Sequence, residues 1–354
     1  MDSTTTGVRR RFAGRFAISL ALLGTVISIP RSVSAQPAHA ASPWVLGVSN
    51  TLIGNGWREE MICAVRAEAT ASGKVSKVVV NDINGSAADQ ITGIRTLISS
   101  GVNAIIINPA DHTSLNSVIQ QAVQRGIVVV TVDQLVSSPL VYAAENDQVA
   151  YGRLGMQWLA KKLNGKGNVV VLRGIPGVPA DTDRETGIKQ ALAMYPGIKV
   201  LNESYTGWQA APAAKAMLDQ LNAHTNIDGV WTSGTDYSVV TAFKTAGRPY
   251  VPVVGADNNE FVHQLLTLQS KGFEGAAVTN PAVIGGVGAA LAIRVLEGQK
   301  VNRLTKLTPE VWDYAHSLSA LQAHYNPKLA ATYSVQFTVK GLTDYTPQQL
   351  IACK

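Results

Sequence analysis

The chain of 354 residues has little of what enzymes and metal sites draw on: two cysteines and six histidines. No two histidines stand at i, i+4, and Cys63 and Cys353 lie at opposite ends of the chain, so no metal-ligand spacing is present. There is no Gly-x-Ser-x-Gly elbow, no phosphate loop in a strand-to-helix turn, and no Ser/His/Asp or Cys/His arrangement by spacing. Charged residues make up only 15% of the chain, and no cluster of Lys and Arg occurs after residue 35, which argues against nucleic-acid binding. The longest apolar run, Phe16 to Ile29, is short for a bilayer span. The apolar content of 46% permits a large core and argues against disorder.

The first forty residues do not belong to that core. In "VRRRFAGRFAISLALLGTVISIP" a basic head precedes an apolar run, and small residues continue to Ala35 and Ala40. This is the layout of a secretory signal peptide, residues 1–40, cleaved after Ala35 or Ala40. A membrane anchor is the alternative. Arg9, Arg10, Arg11 and Phe12 also have a twin-arginine flavour that an ordinary basic head explains equally well. Residues 1–35 carry five arginines and one aspartate, so without them the formal charge falls from +6 to +2. In an oxidising compartment Cys63 and Cys353 either form a bridge or stand as two buried free thiols.

From Trp44 onward, β-branched runs such as "KVVVND", "NAIIIN", "IVVVTVD" and "NVVVLRG" alternate with helical patterns. Leu115, Val118, Ile119, Ala122 and Val123 share one helical face, as do Ala87, Ile91, Ile94 and Ile98. Gly101 and Gly126 come directly after these helices, where a cap needs a left-handed residue. Uninterrupted apolar strands between helices predict parallel sheets covered on both faces. The strand count exceeds one sheet, which places a crossover at Glu145–Val149 and a return near Asn280. The segment "GGVGAA" lies inside a helical pattern, so close helix packing explains it better than a dinucleotide turn. The segment "YSVQFTV" is a further strand candidate.

Ligands of open parallel sheets bind beyond the carboxyl ends of the strands. The residues just past each strand in this chain are polar or aromatic: Asn55, Trp57 and Arg58; Asn108; Asp133 and Gln134; Asp181 to Arg184; Trp208; Thr235 and Asp236; Asp257; Asn280. Carboxylates accept two hydroxyl protons, amides donate and accept at once, and an indole face covers an apolar C–H face. The set suits a polyhydroxylated ring. Asp111, Asp181 and Asp236 have a competing role as helix caps, and Asn108 as a turn residue. Asp133 and Asp257 each end an apolar run, where a carboxylate needs a partner.

On these stretches, the chain from Trp44 to Trp312 resembles the type I periplasmic solute-binding proteins of ABC importers, the ribose-binding-like group. The matching motifs are "VSNTLIGNGWREEM", "IIINPAD", "VVTVDQ", "AAENDQVAYG", "LRGIPGVPADTDRETGI", "GVWTSGTD", "VVGADN" and "VTNPAVIG", eight in the family's order. The resemblance implies two doubly wound parallel-sheet α/β lobes joined by a three-crossover hinge: residues 44–146 with 281–309, and 147–280 with 310–330, plus a tail, 331–354. It implies ligand contacts from Asn55, Trp57, Arg58, Asn108, Asp133, Thr182, Arg184, Trp208, Asp257 and Asn280, to which the strand-end positions add Gln134 and Asp236. Trp57 and Trp208 would stack. The implied function is non-enzymatic: a monomer without metal or cofactor, in the periplasm, that hands a monosaccharide or polyol to a membrane permease. A sensory role at a chemoreceptor or sensor kinase, or a non-sugar polar solute, is the alternative. Two departures weigh against carrying over ribose or galactose. The family's Asp-Arg after the fourth strand is Asp133-Gln134 here, and its Asn-Asp is replaced by Gly234, Thr235 and Asp236. The tail lies outside the shorter members' pattern and is expected to strap the lobes, through Cys63–Cys353 if these are bonded.

Overall fold

The computed structural model describes residues 44–353; the expected signal peptide lies outside the described residues. The chain opens with β1 (Trp44–Asn50), α1 (Gly56–Ser72), β2 (Val75–Asp82), α2 (Ala87–Ser99), β3 (Ala104–Ile107), α3 (Asn116–Gln124), β4 (Val128–Asp133) and β5 (Tyr142–Asn146). It continues through α4 (Gln148–Lys162), β6 (Lys166–Arg173), α5 (Pro179–Met194), β7 (Gly197–Tyr205), α6 (Ala210–Ala223), β8 (Gly229–Trp231), α7 (Asp236–Thr245), β9 (Val253–Ala256), α8 (Asn259–Thr267) and β10 (Gly275–Val278). Then come α9 (Ile284–Leu296), β11 (Leu304–Leu307), β12 (Val311–Asp313), α10 (Tyr314–His324) and α11 (Pro347–Ile351).

The strands form two six-stranded sheets, ordered β11-β5-β4-β3-β1-β2 and β12-β10-β9-β8-β6-β7. All pairs are parallel except β12 with β10. The expected class, two α/β lobes each built on a parallel sheet, is therefore what the chain forms. The reason lies in the strands: every residue of β3, β9 and β10 is buried, because helices cover both faces. The chain passes between sheets three times, after β5, after β10 and after β11. The segment "LVYAAEND", just ahead of the first crossover, contains β5, a full member of the first sheet paired with β4 and β11.

Gly101 and Gly126 take φ of +75° and +77° at the ends of α2 and α3, the left-handed turn a helix stop requires. Gly285, Gly286 and Gly288 are buried inside α9, which packs in the first-lobe core with Met61, Val130 and Val132. The "YSVQFTV" segment does not form a strand. Its sole ladder contact is an isolated bridge from Ser334 to Asn258; Ser334 is otherwise held by the side chains of Glu60 and Asp257, and the Val339 carbonyl accepts from Leu342 N and Thr343 N.

Candidate functional site

The carboxyl ends of both sheets meet around a cavity of about 170 Å³. Its wall carries Asn55, Trp57, Arg58 and Asp133 from the first lobe, Arg184, Trp208 and Asp257 from the second, and Asn280 from the crossover after β10. These eight are sequence-predicted site residues that the fold brings together.

Local structure aims each of them. Asn55 caps α1, its Oδ1 accepting from Arg58 N at 3.1 Å, while its Nδ2 donates across the lobes to the Trp208 carbonyl at 3.0 Å. Trp57 Nε1 donates to the Asn280 carbonyl at 2.6 Å, which leaves the indole faces for packing. Asp133 has φ +70° and Trp208 has φ +53°, a left-handed conformation that costs energy for any residue with a Cβ. Both strained residues line the cavity, where such strain tends to be kept.

The polar groups form one network through the hinge. Asp133 Oδ1 accepts from Asn146 Nδ2 and Gln148 Nε2, both at 2.8 Å. Gln148 Nε2 also reaches Asn280 Oδ1 at 3.1 Å, and Gln148 Oε1 accepts from Arg184 Nε at 2.8 Å. The Arg184 guanidinium lies 4.2 Å from the Tyr151 ring centre and 5.9 Å from that of Trp208. Arg58 donates from one Nη to Asn50 Oδ1 at 2.9 Å. Burial pulls the Arg58 pKa down to about 10, against the attraction of Asp133; it still carries its charge at neutral pH. Both guanidiniums keep unspent N–H groups, and the hydrogen bonds to Asp133 from side chains fall on Oδ1, leaving Oδ2 without a side-chain donor. The cavity thus offers several donors and one carboxylate oxygen to a guest with hydroxyls.

Four predicted residues do not line the cavity. Gln134 sits between the lobes instead: its Nε2 donates to Asn108 Oδ1 and the Pro109 carbonyl, and its Oε1 accepts from Ala180 N at the start of α5. Asn108 is fully buried and serves as that acceptor. Thr182 turns its hydroxyl back onto the Pro179 carbonyl in the first turn of α5. Asp236 is fully buried and accepts from Gly234 N, Ala256 N and Asn258 Nδ2, tying α7 to the end of β9. Burial raises its pKa to about 7. Asp257 does reach the cavity, but its oxygens are taken: Oδ1 by Asn280 N, Oδ2 by Ser334 Oγ and Gln336 Nε2.

Sequence reasoning missed Gln148, Ser233, Tyr237, Asn258, Thr332 and Ser334. Ser233 and Asn258 come just after strands β8 and β9, so the strand-end rule reaches them. Gln148 opens the helix after the first crossover. Nothing in the pattern marks Thr332 and Ser334. Among the described residues no group of three or more His, Cys, Asp or Glu side chains is placed to hold a metal ion, and no helix is long and apolar enough to cross a membrane.

Two α/β lobes that meet over a polar, tryptophan-walled cavity define a two-lobed solute-binding protein. The family model described as periplasmic binding protein domain matches residues 46–300, and the chain belongs to that family, as a binding protein and not an enzyme. The chain is 34% identical over 229 residues to the xylitol-binding protein of Mycolicibacterium smegmatis, a match covering 64% of this chain and 65% of that protein, less than two thirds of its length. It is 27% identical to the ribose import binding protein of Escherichia coli, over 80% of this chain and 94% of that one. Among solved structures, an ABC transporter solute binding protein from Thermobispora bispora matches with a TM-score of 0.76 at 27% identity, covering 87% of this chain and 94% of that chain. The binding component of an arabinose ABC transporter from Shewanella matches with a TM-score of 0.71 at 26% identity, covering 79% and 95%.

Proposed function

We propose that this protein captures a monosaccharide or related polyol between its lobes, outside the cytoplasm, and delivers it as a monomer to the permease of an ABC importer. The observation that carries the reading is the cavity itself, lined by Trp57, Arg58 and Asp133 from one lobe and by Arg184 and Trp208 from the other. The indoles supply apolar faces, the guanidiniums and Asn280 donate, and Asp133 accepts. A guest that contacts both lobes favours the closed arrangement by the difference in its affinity for the open and closed forms. Relatives named for xylitol and ribose, and a structural neighbour bound to arabinofuranose, put five-carbon ligands first. The basic, apolar, small-residue order of residues 1–40 supports export.

A thermal-shift screen of the mature chain against pentoses, pentitols, hexoses and amino acids tests it. A ligand at a hundredfold its Kd adds about 2.7 kcal/mol of stability, a rise of several degrees in Tm. No shift with any polyhydroxylated ligand at millimolar concentration would sink the reading.

A further inference from the structure

The chain crosses between lobes a fourth time, after α10, and the crossing segment forms part of the cavity wall. Its first half belongs to the second lobe. Asn259 N and Glu260 N, at the start of α8, donate to the carbonyls of Tyr333 and Ala331 at 2.8 and 3.0 Å. Val335 N donates to the Asp257 carbonyl at 3.0 Å, and the Val335 side chain is fully buried in the second-lobe core. Its second half belongs to the first lobe. Tyr345 and Leu350 are buried against Ala64, Ala67 and Val283, Asp344 N donates to Glu68 Oε2 at 2.8 Å, and Cys353 is bonded to Cys63 of α1.

Within the first half, Ser334 serves both lobes. Its N–H donates to Glu60 Oε2 on α1 at 2.7 Å, and its Oγ donates to Asp257 Oδ2 at 3.2 Å. Gln336 Nε2 adds a second bond to the same oxygen at 2.8 Å. Thr332 packs on the start of α1, where a Cβ on Gly56 would lie 1.9 Å from its Oγ1. Thr332 and Ser334 both line the cavity. The crossing also borders a second cavity of about 300 Å³ at the hinge, walled by Gln336, Thr338, Pro281 and Leu307.

The geometry points to a role for this tail in ligand selection: Thr332 and Ser334 contact the bound solute, and the Cys63–Cys353 bond holds them in place. This rests on the function proposed above. The tail takes hydrogen-bonding capacity that Asp257 would otherwise offer a guest and replaces it with two hydroxyls: that of Thr332 can donate and accept, while Ser334 Oγ, its proton given to Asp257, can accept. The bridge closes a loop of sequence separation 290 that contains the second lobe and all of the first but β1 and the start of α1. It therefore fixes the end of the tail to α1, the helix whose first turn carries Trp57 and Arg58.

The test uses the full mature chain and whichever of xylitol, D-ribose or L-arabinose gives the largest thermal shift. Thr332→Val keeps the shape and removes the hydroxyl; Ser334→Ala keeps the backbone bond to Glu60. Each is expected to raise Kd at least tenfold and to change the ranking of the three probes, while the ligand-free Tm moves by no more than about two degrees. Opening the disulfide, by reduction with the open state verified from alkylated mass and separately by Cys63→Ser with Cys353→Ser, is expected to raise Kd by a similar factor. A purely mechanical strap would lower the ligand-free Tm and leave Kd and probe ranking as in the wild type. Wild-type binding with unchanged Kd in Thr332→Val, in Ser334→Ala and after reduction overturns this inference alone. A wild type that binds none of the three probes and nothing else in the wider screen overturns it together with the function it rests on.

Discussion

Asp133 shows how a single residue is committed to a site. Its backbone is in the left-handed region, one carboxylate oxygen takes two amide donors from the hinge, and the other is left for a guest. Asp133→Asn can keep its amide oxygen toward Asn146 and Gln148, which turns an NH2 toward the cavity in place of an acceptor. Losing a charged acceptor in a desolvated site costs about 2 kcal/mol, so ligand Kd should rise about thirtyfold with little change in the ligand-free Tm. Titration calorimetry beside a melting curve checks this; unchanged affinity would remove Asp133 from the site. The sequence made Asp133, Trp57 and Trp208 legible because each stands at or just past the carboxyl end of a strand, the end of the sheet where ligands bind. Gln134 and Asp236 are placed after strands equally well, yet their partners are protein groups. A sequence reveals that a polar side chain ends a strand, but the backbone N–H groups of Ala180 and Ala256 that satisfy these two come from segments far along the chain.

At the scale of elements, Asp236 is a clamp. It holds the turn before α7 through Gly234 N, the end of β9 through Ala256 N, and the cap of α8 through Asn258 Nδ2. Asp236→Ala would leave three buried donors unsatisfied, at a cost of about 3 kcal/mol. The expected outcome is a clear drop in Tm and in the denaturation midpoint. Affinity, measured well below the new Tm, should fall less than in Asp133→Asn. The reverse ranking would restore Asp236 to the ligand set. The elements themselves were readable from period and punctuation: "AIII" is apolar throughout because β3 is covered on both faces, and Gly101 and Gly126 end α2 and α3 with the backbone that glycine allows. The tail was not readable as part of the site. Residues 333–339 read as a strand, yet residues 332–336 are held by Glu60, Asp257 and the ends of other elements rather than by a ladder of their own.

Across the whole molecule, the tail is docked by three buried carboxyl groups, Glu60, Glu68 and Asp257, and burial raises the pKa of each. Glu68, which accepts from Asp344 N, is raised from 4.5 to about 7; besides burial, the charge of Asp344 pushes it up and Arg294 pulls it down. Asp236 is raised to about 7 as well. A carboxyl whose folded pKa exceeds its unfolded value binds more protons in the folded state between the two. Its contribution is complete below the unfolded pKa and is lost as pH rises toward the folded one. Hydrogen bonds from nearby groups shift Asp89 and Asp111 the other way, and they outweigh partial burial to do the same at Asp313. The contribution of these three is lost as pH falls through the acid range. Stability should therefore peak near about pH 5 and decline toward about pH 8. Glu68→Gln keeps an acceptor for Asp344 N and removes one titrating group, so it should flatten that decline and gain roughly 1–3 kcal/mol at pH 8 relative to the wild type. Chemical denaturation of both proteins at half-unit steps from pH 4.5 to 8 measures it. A wild-type stability that holds level or rises across that range, or a Glu68→Gln curve parallel to it, would mean that the tail's carboxyl groups are ionised in the folded protein at every pH tested.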